Sequence, residues 1–110
     1  MNNSAAHSKL VADILIALSR AGVLCWKQHQ GYMLTLSGNR VRVGQKGAGD
    51  VNATLPPRGR YASIDAKTGD GQQTKDQENW QKAVELRGGL YIVARSVDDA
   101  LRLVEQERDR

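Results

Sequence analysis

Asp65-Ala66-Lys67 is the triplet whose residue types and spacing suit hydrolytic chemistry, and Asp50 is the acid that precedes it. An acid-x-Lys triplet alone says little, since a chain of this composition produces one by chance about as often as not. Its setting says more. The triplet closes a predicted strand, and Asp50 starts the strand before it, behind three glycines at 44, 47 and 49. Alternation along a strand puts Asp65 and Lys67 on one face. Cleavage of a phosphodiester needs a hard cation to polarise the phosphate and lower the pKa of an attacking water. Mg²⁺ takes oxygen ligands and keeps several waters, so two carboxylates and one backbone carbonyl suffice. Asp50 and Asp65 supply the carboxylates in this reading, and Ala66 the carbonyl. Lys67 is placed to orient the water or to neutralise charge developing on phosphorus. The plainer reading is a solvated Asp65–Lys67 ion pair on an edge strand, worth little to stability or function.

The elements that must carry these residues follow from periodicity. Leu10, Val11, Ile14, Leu15 and Leu18 make one apolar stripe, which predicts a helix over 8–20 ended by Ala21-Gly22. Val23 to Lys27 reads as a short buried strand. Segments 32–36 and 40–43, joined by Ser37-Gly38-Asn39, read as a hairpin with one wet face. Strands are expected over 50–55 and 60–67, separated by the turn Pro56-Pro57-Arg58-Gly59. Thr74-Lys75-Asp76-Gln77 has the form of a capping box, and Trp80, Ala83, Val84 and Leu86 its buried stripe. Gly88-Gly89 stops that helix, 90–94 is a buried strand, and Ser96 opens a last helix with Ala100, Leu101, Leu103 and Val104 inward. The order α-β-β-β-β-β-α-β-α implies an α/β fold, a mixed sheet flanked by helices. One domain fills the chain, with its core over about 8–104 and a charged, fraying tail over 105–110.

Composition narrows the partners. Net charge is +4 and the pI about 9.5, which favours an anionic partner, nucleic acid first. Phe is absent, so the core rests on Leu, Ile, Val and Ala, with Trp26 and Trp80 as its large pieces. The one cysteine, Cys25, excludes an intramolecular disulfide and a thiolate zinc site, and its apolar neighbours suggest a buried, inert thiol. No stretch is long enough to span a membrane and residues 1–8 lack an apolar signal region, so a cytoplasmic protein is expected. Lys27, Arg42, Arg58, Arg60 and Lys75 fall in or beside loops near the proposed site, suited to phosphate contacts that add affinity without reading sequence. His29 reads as a loop histidine and Trp80 as packing. Loop 44–49 is not a P-loop, lacking its Lys-Ser/Thr ending and following helix, and reads as a turn that lets DNA or metal approach closely.

Four ordered blocks together resemble a known family. They are Gly44-x-x-Gly47-x-x-Asp50; Ile64-Asp65-Ala66-Lys67; Thr74-x-x-Gln77-x-x-Trp80; and Gly88-Gly89-x-x-x-Ile92-Val93-Ala94-Arg95-Ser96-Val97-Asp98-Asp99. From about Trp26 to Val104 the chain resembles the VRR-NUC domain, the virus-type replication-repair nuclease branch of the PD-(D/E)XK superfamily. The resemblance implies a restriction-endonuclease-like core and Mg²⁺- or Mn²⁺-dependent endonuclease activity. It assigns metal ligation to Asp50 and Asp65, the catalytic lysine role to Lys67 and a place near the active site to Gln77. Stand-alone relatives imply a phage or bacterial homodimer acting on branched DNA, such as Holliday junctions, in replication or repair. The family usually has Glu where Asp65 stands. It often has an acid at the start of the first helix, where His7 falls here. Either His7 takes part at the metal or the two aspartates hold it alone. The competing expectations are a non-catalytic DNA-binding module and a nuclease subunit of a larger complex.

Overall fold

The computed structural model describes residues 4–110. Its elements are α1 (Ser4–Arg20), β1 (Leu24–Lys27), β2 (Gly31–Leu34), β3 (Arg40–Val43), β4 (Val51–Leu55), β5 (Arg60–Ala66), α2 (Lys75–Leu86), β6 (Leu90–Ala94) and α3 (Val97–Arg108). The order is the expected one. β1, β4, β5 and β6 form a four-stranded sheet in that spatial order, while β2 and β3 form a separate two-stranded sheet. β1 pairs antiparallel with β4 and β4 antiparallel with β5, and β6 returns parallel to β5 after the α2 crossover.

Each face of the main sheet has its own chemistry. Val51, Ala53 and Leu55 of β4 and Ala62, Ile64 and Ala66 of β5 are buried with Val11, Ile14 and Leu18 of α1 and Ala100, Leu103 and Val104 of α3. The alternate positions form a polar lane toward α2. There Tyr61 donates to Asn52 Oδ1 (2.5 Å), Asn52 donates to Gln28 Oε1 (2.5 Å), and Trp80 Nε1 donates to Ser63 Oγ (3.0 Å). Among the described residues, every buried side-chain N or O has a hydrogen-bond partner, as buried polar groups require.

Local signals place the helices. Thr74 accepts from Gln77 N, and the Gln77 side chain accepts from Thr74 N, so the capping box is complete. Ser96 caps α3 by accepting from Asp99 N. α1 begins four residues earlier than the stripe suggested, because Ala5 and Ala6 propagate helix well.

Several expectations need correction. β1 is an edge strand and largely exposed, with Trp26 47% exposed instead of filling the core. Cys25 is half-buried, its thiol against Leu15 O and Ser19 Oγ. Leu86 is 84% exposed, in the last turn of α2 and about 200° round the helix from the buried Val84. Residues 105–110 are not a frayed tail: α3 continues to Arg108 and Glu107 is buried. Glu107 accepts from Arg58 Nη2 and Arg60 Nη1, both at 3.1 Å. Burial alone would raise its carboxyl, but hydrogen bonds and charge from the two arginines hold it below the usual range. No helix among the described residues is long and apolar enough to cross a membrane.

Candidate active site

The antiparallel ladder brings the two aspartates together. Val51 pairs with Ile64, so Asp50, one step before, stands across from Asp65, one step after. Facing positions on such a pair lie about 5 Å apart at Cβ. Asp50 is further held by its neighbours, since its Oδ2 accepts from Ala66 N at 2.7 Å and lies 3.2 Å from His7 Nε2. Its carbonyl accepts from Gln28 N at 2.8 Å, tying the residue to the end of β1.

Asp65 is 2% exposed, and three groups converge on it. Gln77 Nε2 donates to Oδ1 at 3.4 Å, Tyr91 Oη donates to Oδ2 at 3.2 Å, and Lys67 Nζ stands 3.5 Å from Oδ2. Burial pushes the Asp65 carboxyl up to about 6. The Lys67 charge opposes that rise, while the charge of Asp50 and a hydrogen bond with it add to it, and the Tyr91 hydrogen bond works against it. Burial also raises the Tyr91 hydroxyl well above its ordinary value, which keeps it a donor. Two carboxylates pressed together beside one ammonium make a locally acidic pocket suited to a hard cation.

His7, Asp50, Asp65, Ala66, Lys67 and Gln77, all expected from sequence, border one cavity of about 310 Å³. His7 reaches it because residue 7 precedes Val11 by four and Ile14 by seven, on the inward face of α1. Ala66 meets Asp50 through its N–H. A second cavity of about 510 Å³ shares Asp50, Asp65 and Gln77 and extends past Lys46 to Arg42, Gln28 and Gln30. Among the described residues no three His, Cys, Asp or Glu side chains form a metal-binding group, so His7 does not complete one with the aspartates. Asp50 and Asp65 are thus the two acidic side chains the site offers a cation, and a hard cation held by them would need backbone oxygen and water to complete its shell.

The remaining basic residues divide. Lys27 pairs with Val51, beside Asp50, and Lys75 opens α2 two residues before Gln77. Arg42 lines the larger cavity. Arg58 and Arg60 are not near the site. They sit at the opposite end of β5, where their guanidiniums hold Glu107. The glycine loop also differs from expectation, because its close approaches are to protein. A Cβ on Gly47 (φ 81°) would strike the Asp76 backbone, and one on Gly49 would lie 2.6 Å from Ser63 Oγ. The loop is thus pressed onto α2 and β5, and delivers Asp50 at a fixed height.

Tyr91 and Lys46 were not singled out from sequence. A hydroxyl on a buried strand needs a partner, which is the signal that could have found Tyr91. Lys46 Nζ lies 3.6 Å from Asp76, next to the cavity. Arg95 donates to Gly69 O and Gly71 O and so fixes the loop that follows Lys67. No protein-family model matches this chain, and a search of curated proteins also finds no match.

Proposed function

We propose that this protein is a Mg²⁺- or Mn²⁺-dependent DNA endonuclease of the VRR-NUC type. In this reading it acts as a cytoplasmic homodimer on branched DNA such as Holliday junctions, in phage or bacterial replication or repair. One observation carries the reading: Asp50 and Asp65 face each other across β4 and β5, with Lys67 Nζ 3.5 Å from Asp65, at the wall of an open cavity. Asp50 and Asp65 would hold the cation, joined by the Ala66 carbonyl. The bound cation would polarise the scissile phosphate and acidify an attacking water. Lys67 would orient that water or offset charge on the phosphate oxygens. Gln77 and Tyr91 fix the Asp65 carboxylate from two directions, so that its geometry is set before substrate arrives.

The test is cleavage of a four-way junction, a flap and a linear duplex in Mn²⁺ by wild type and by Lys67→Ala. Wild type should cut at least one, and the variant should be slower by about 10²-fold or more. Failure of wild type to cut any of them would end this reading.

A second reading has an observation of its own. His7 stands 3.2 Å from Asp50 where an acid would add a ligand, which favours a DNA-binding module, or one subunit of a larger nuclease, without turnover of its own. Such a module should bind DNA yet show no divalent-dependent rise in melting temperature that Asp50→Ala removes.

A further inference from the structure

The β2–β3 hairpin stands off the body of the protein. All four residues of β2 are exposed, and the two strands pack chiefly on each other. An isolated two-stranded ribbon is marginal by itself, so its side chains have to find their use in a contact outside the core.

Register divides the ribbon into two faces. Tyr32 pairs with Arg42 and Leu34 with Arg40 on one face, and Met33 pairs with Val41 on the other. On the first face the Arg40 guanidinium sits 4.1 Å from the Tyr32 ring centroid and that of Arg42 6.0 Å from it. Arg58, Arg60, Arg102 and Arg110 have carboxylate partners among the described residues, and Arg87, Arg95 and Arg108 donate to backbone carbonyls, whereas Arg40 and Arg42 are set against the Tyr32 ring with no carboxylate partner. Arg42 also lines the larger cavity, together with Asp50, Asp65 and Gln77. The basic, aromatic face of the ribbon, which also carries Leu34, therefore adjoins the proposed catalytic trough through Arg42.

We propose that the β2–β3 hairpin is a nucleic-acid-gripping arm, in which Arg40 and Arg42 bind phosphates of the strand flanking the one held at Asp50 and Asp65. The proposal rests on the nuclease reading for what lies in the trough. Charge complementarity identifies the occupant, since two unpaired guanidiniums, pre-ordered over one ring, match a row of phosphates. Shape agrees: a two-stranded ribbon is an element that the major groove of duplex DNA admits. Contacts of this kind give affinity and register, not sequence choice.

The test measures binding of a synthetic duplex and a four-way junction, in EDTA, over a range of salt. Substituting both Arg40→Gln and Arg42→Gln should weaken binding by about 10- to 100-fold at low salt. The log–log salt dependence should become shallower by about two. The double variant Arg40→Lys with Arg42→Lys keeps the charge and should keep the salt slope, which separates lost phosphate contacts from a damaged fold. Unchanged affinity and slope in the Gln variant would overturn the arm. So would a Gln variant that loses self-association in sedimentation while binding DNA normally, because the ribbon would then be an interface between copies. Binding that depends on these arginines in a protein that never cuts would keep the arm and remove the nuclease reading. Cleavage by wild type with arginine-independent binding would do the reverse.

Discussion

Asp65→Asn should make the metal-free protein more stable while abolishing its divalent response. The Asp65 carboxyl rises from the ordinary 3.8 to about 6, chiefly through burial, against the pull of Lys67 and with Asp50 adding repulsion. At about 1.4 kcal/mol per pKa unit, keeping it ionised at neutral pH costs at most about 3 kcal/mol. Water in the adjoining cavity screens part of this, leaving about 1–2 kcal/mol. Asn has nearly the same shape, can accept from Gln77 Nε2 through its one oxygen while its amide donates to the Tyr91 hydroxyl, and carries no charge beside Asp50. The sign follows from proton binding: between pH 3.8 and about 6 the folded state holds a proton the unfolded state has released. Wild-type stability from this group therefore falls as pH rises through that window and is level above it. The assay is urea unfolding of both proteins in EDTA at about pH 4 and about pH 7.5. Other titrating groups cancel in the difference, which should be near zero in acid and favour Asn by about 1–2 kcal/mol at the higher pH. Added Mn²⁺ should then stabilise wild type alone. A variant no more stable than wild type at neutral pH, or a gap that does not close in acid, would refute the reasoning.

Asp50→Ala should remove the divalent-dependent shift in melting temperature and leave Ala66 N–H without its carboxylate partner, a loss of about 1–3 kcal/mol measurable by urea unfolding. Gly47→Ala should destabilise by more than about 1 kcal/mol and weaken divalent binding as well, since a methyl there pushes the loop off α2 and shifts Asp50; calorimetry with and without Mn²⁺ reads both effects. Glu107→Gln should lower the melting temperature without changing divalent affinity. The stabilisation it removes is present above the ordinary glutamate pKa and is lost as pH falls through the lowered folded value, so wild type and variant should converge in acid.

The site was more legible than its surroundings, for a physical reason. A hairpin whose strands have clear ends fixes which residues face each other, so Asp50 and Asp65 could be paired from turn and strand signals alone. The capping box likewise depends on four consecutive residues, Thr74 to Gln77, and needs no tertiary information. Trp26 was misplaced because an apolar run does not reveal which strand becomes the sheet edge, and Leu86 because it lies about 200° round α2 from Val84, off the buried stripe. Arg58 and Arg60 were expected to contact phosphate near the site, and Glu107 to lie in a fraying tail, because the contact that joins them spans nearly fifty residues of sequence. His7 was brought into consideration by the family resemblance, and its reach to Asp50 depends on the extra turn of α1 contributed by Ala5 and Ala6.

The facing of Asp50 and Asp65 has a consequence for how proteins like this one are to be sought. Their pairing is a property of the ladder, so the fifteen-residue interval between them is incidental. Lengthening the bend at 56–59 would widen that interval and leave the carboxylates opposed, whereas a slip of one rung would turn one of them away. A search keyed to fixed intervals would pass over such chains; one keyed to which rung each acid occupies would retrieve them.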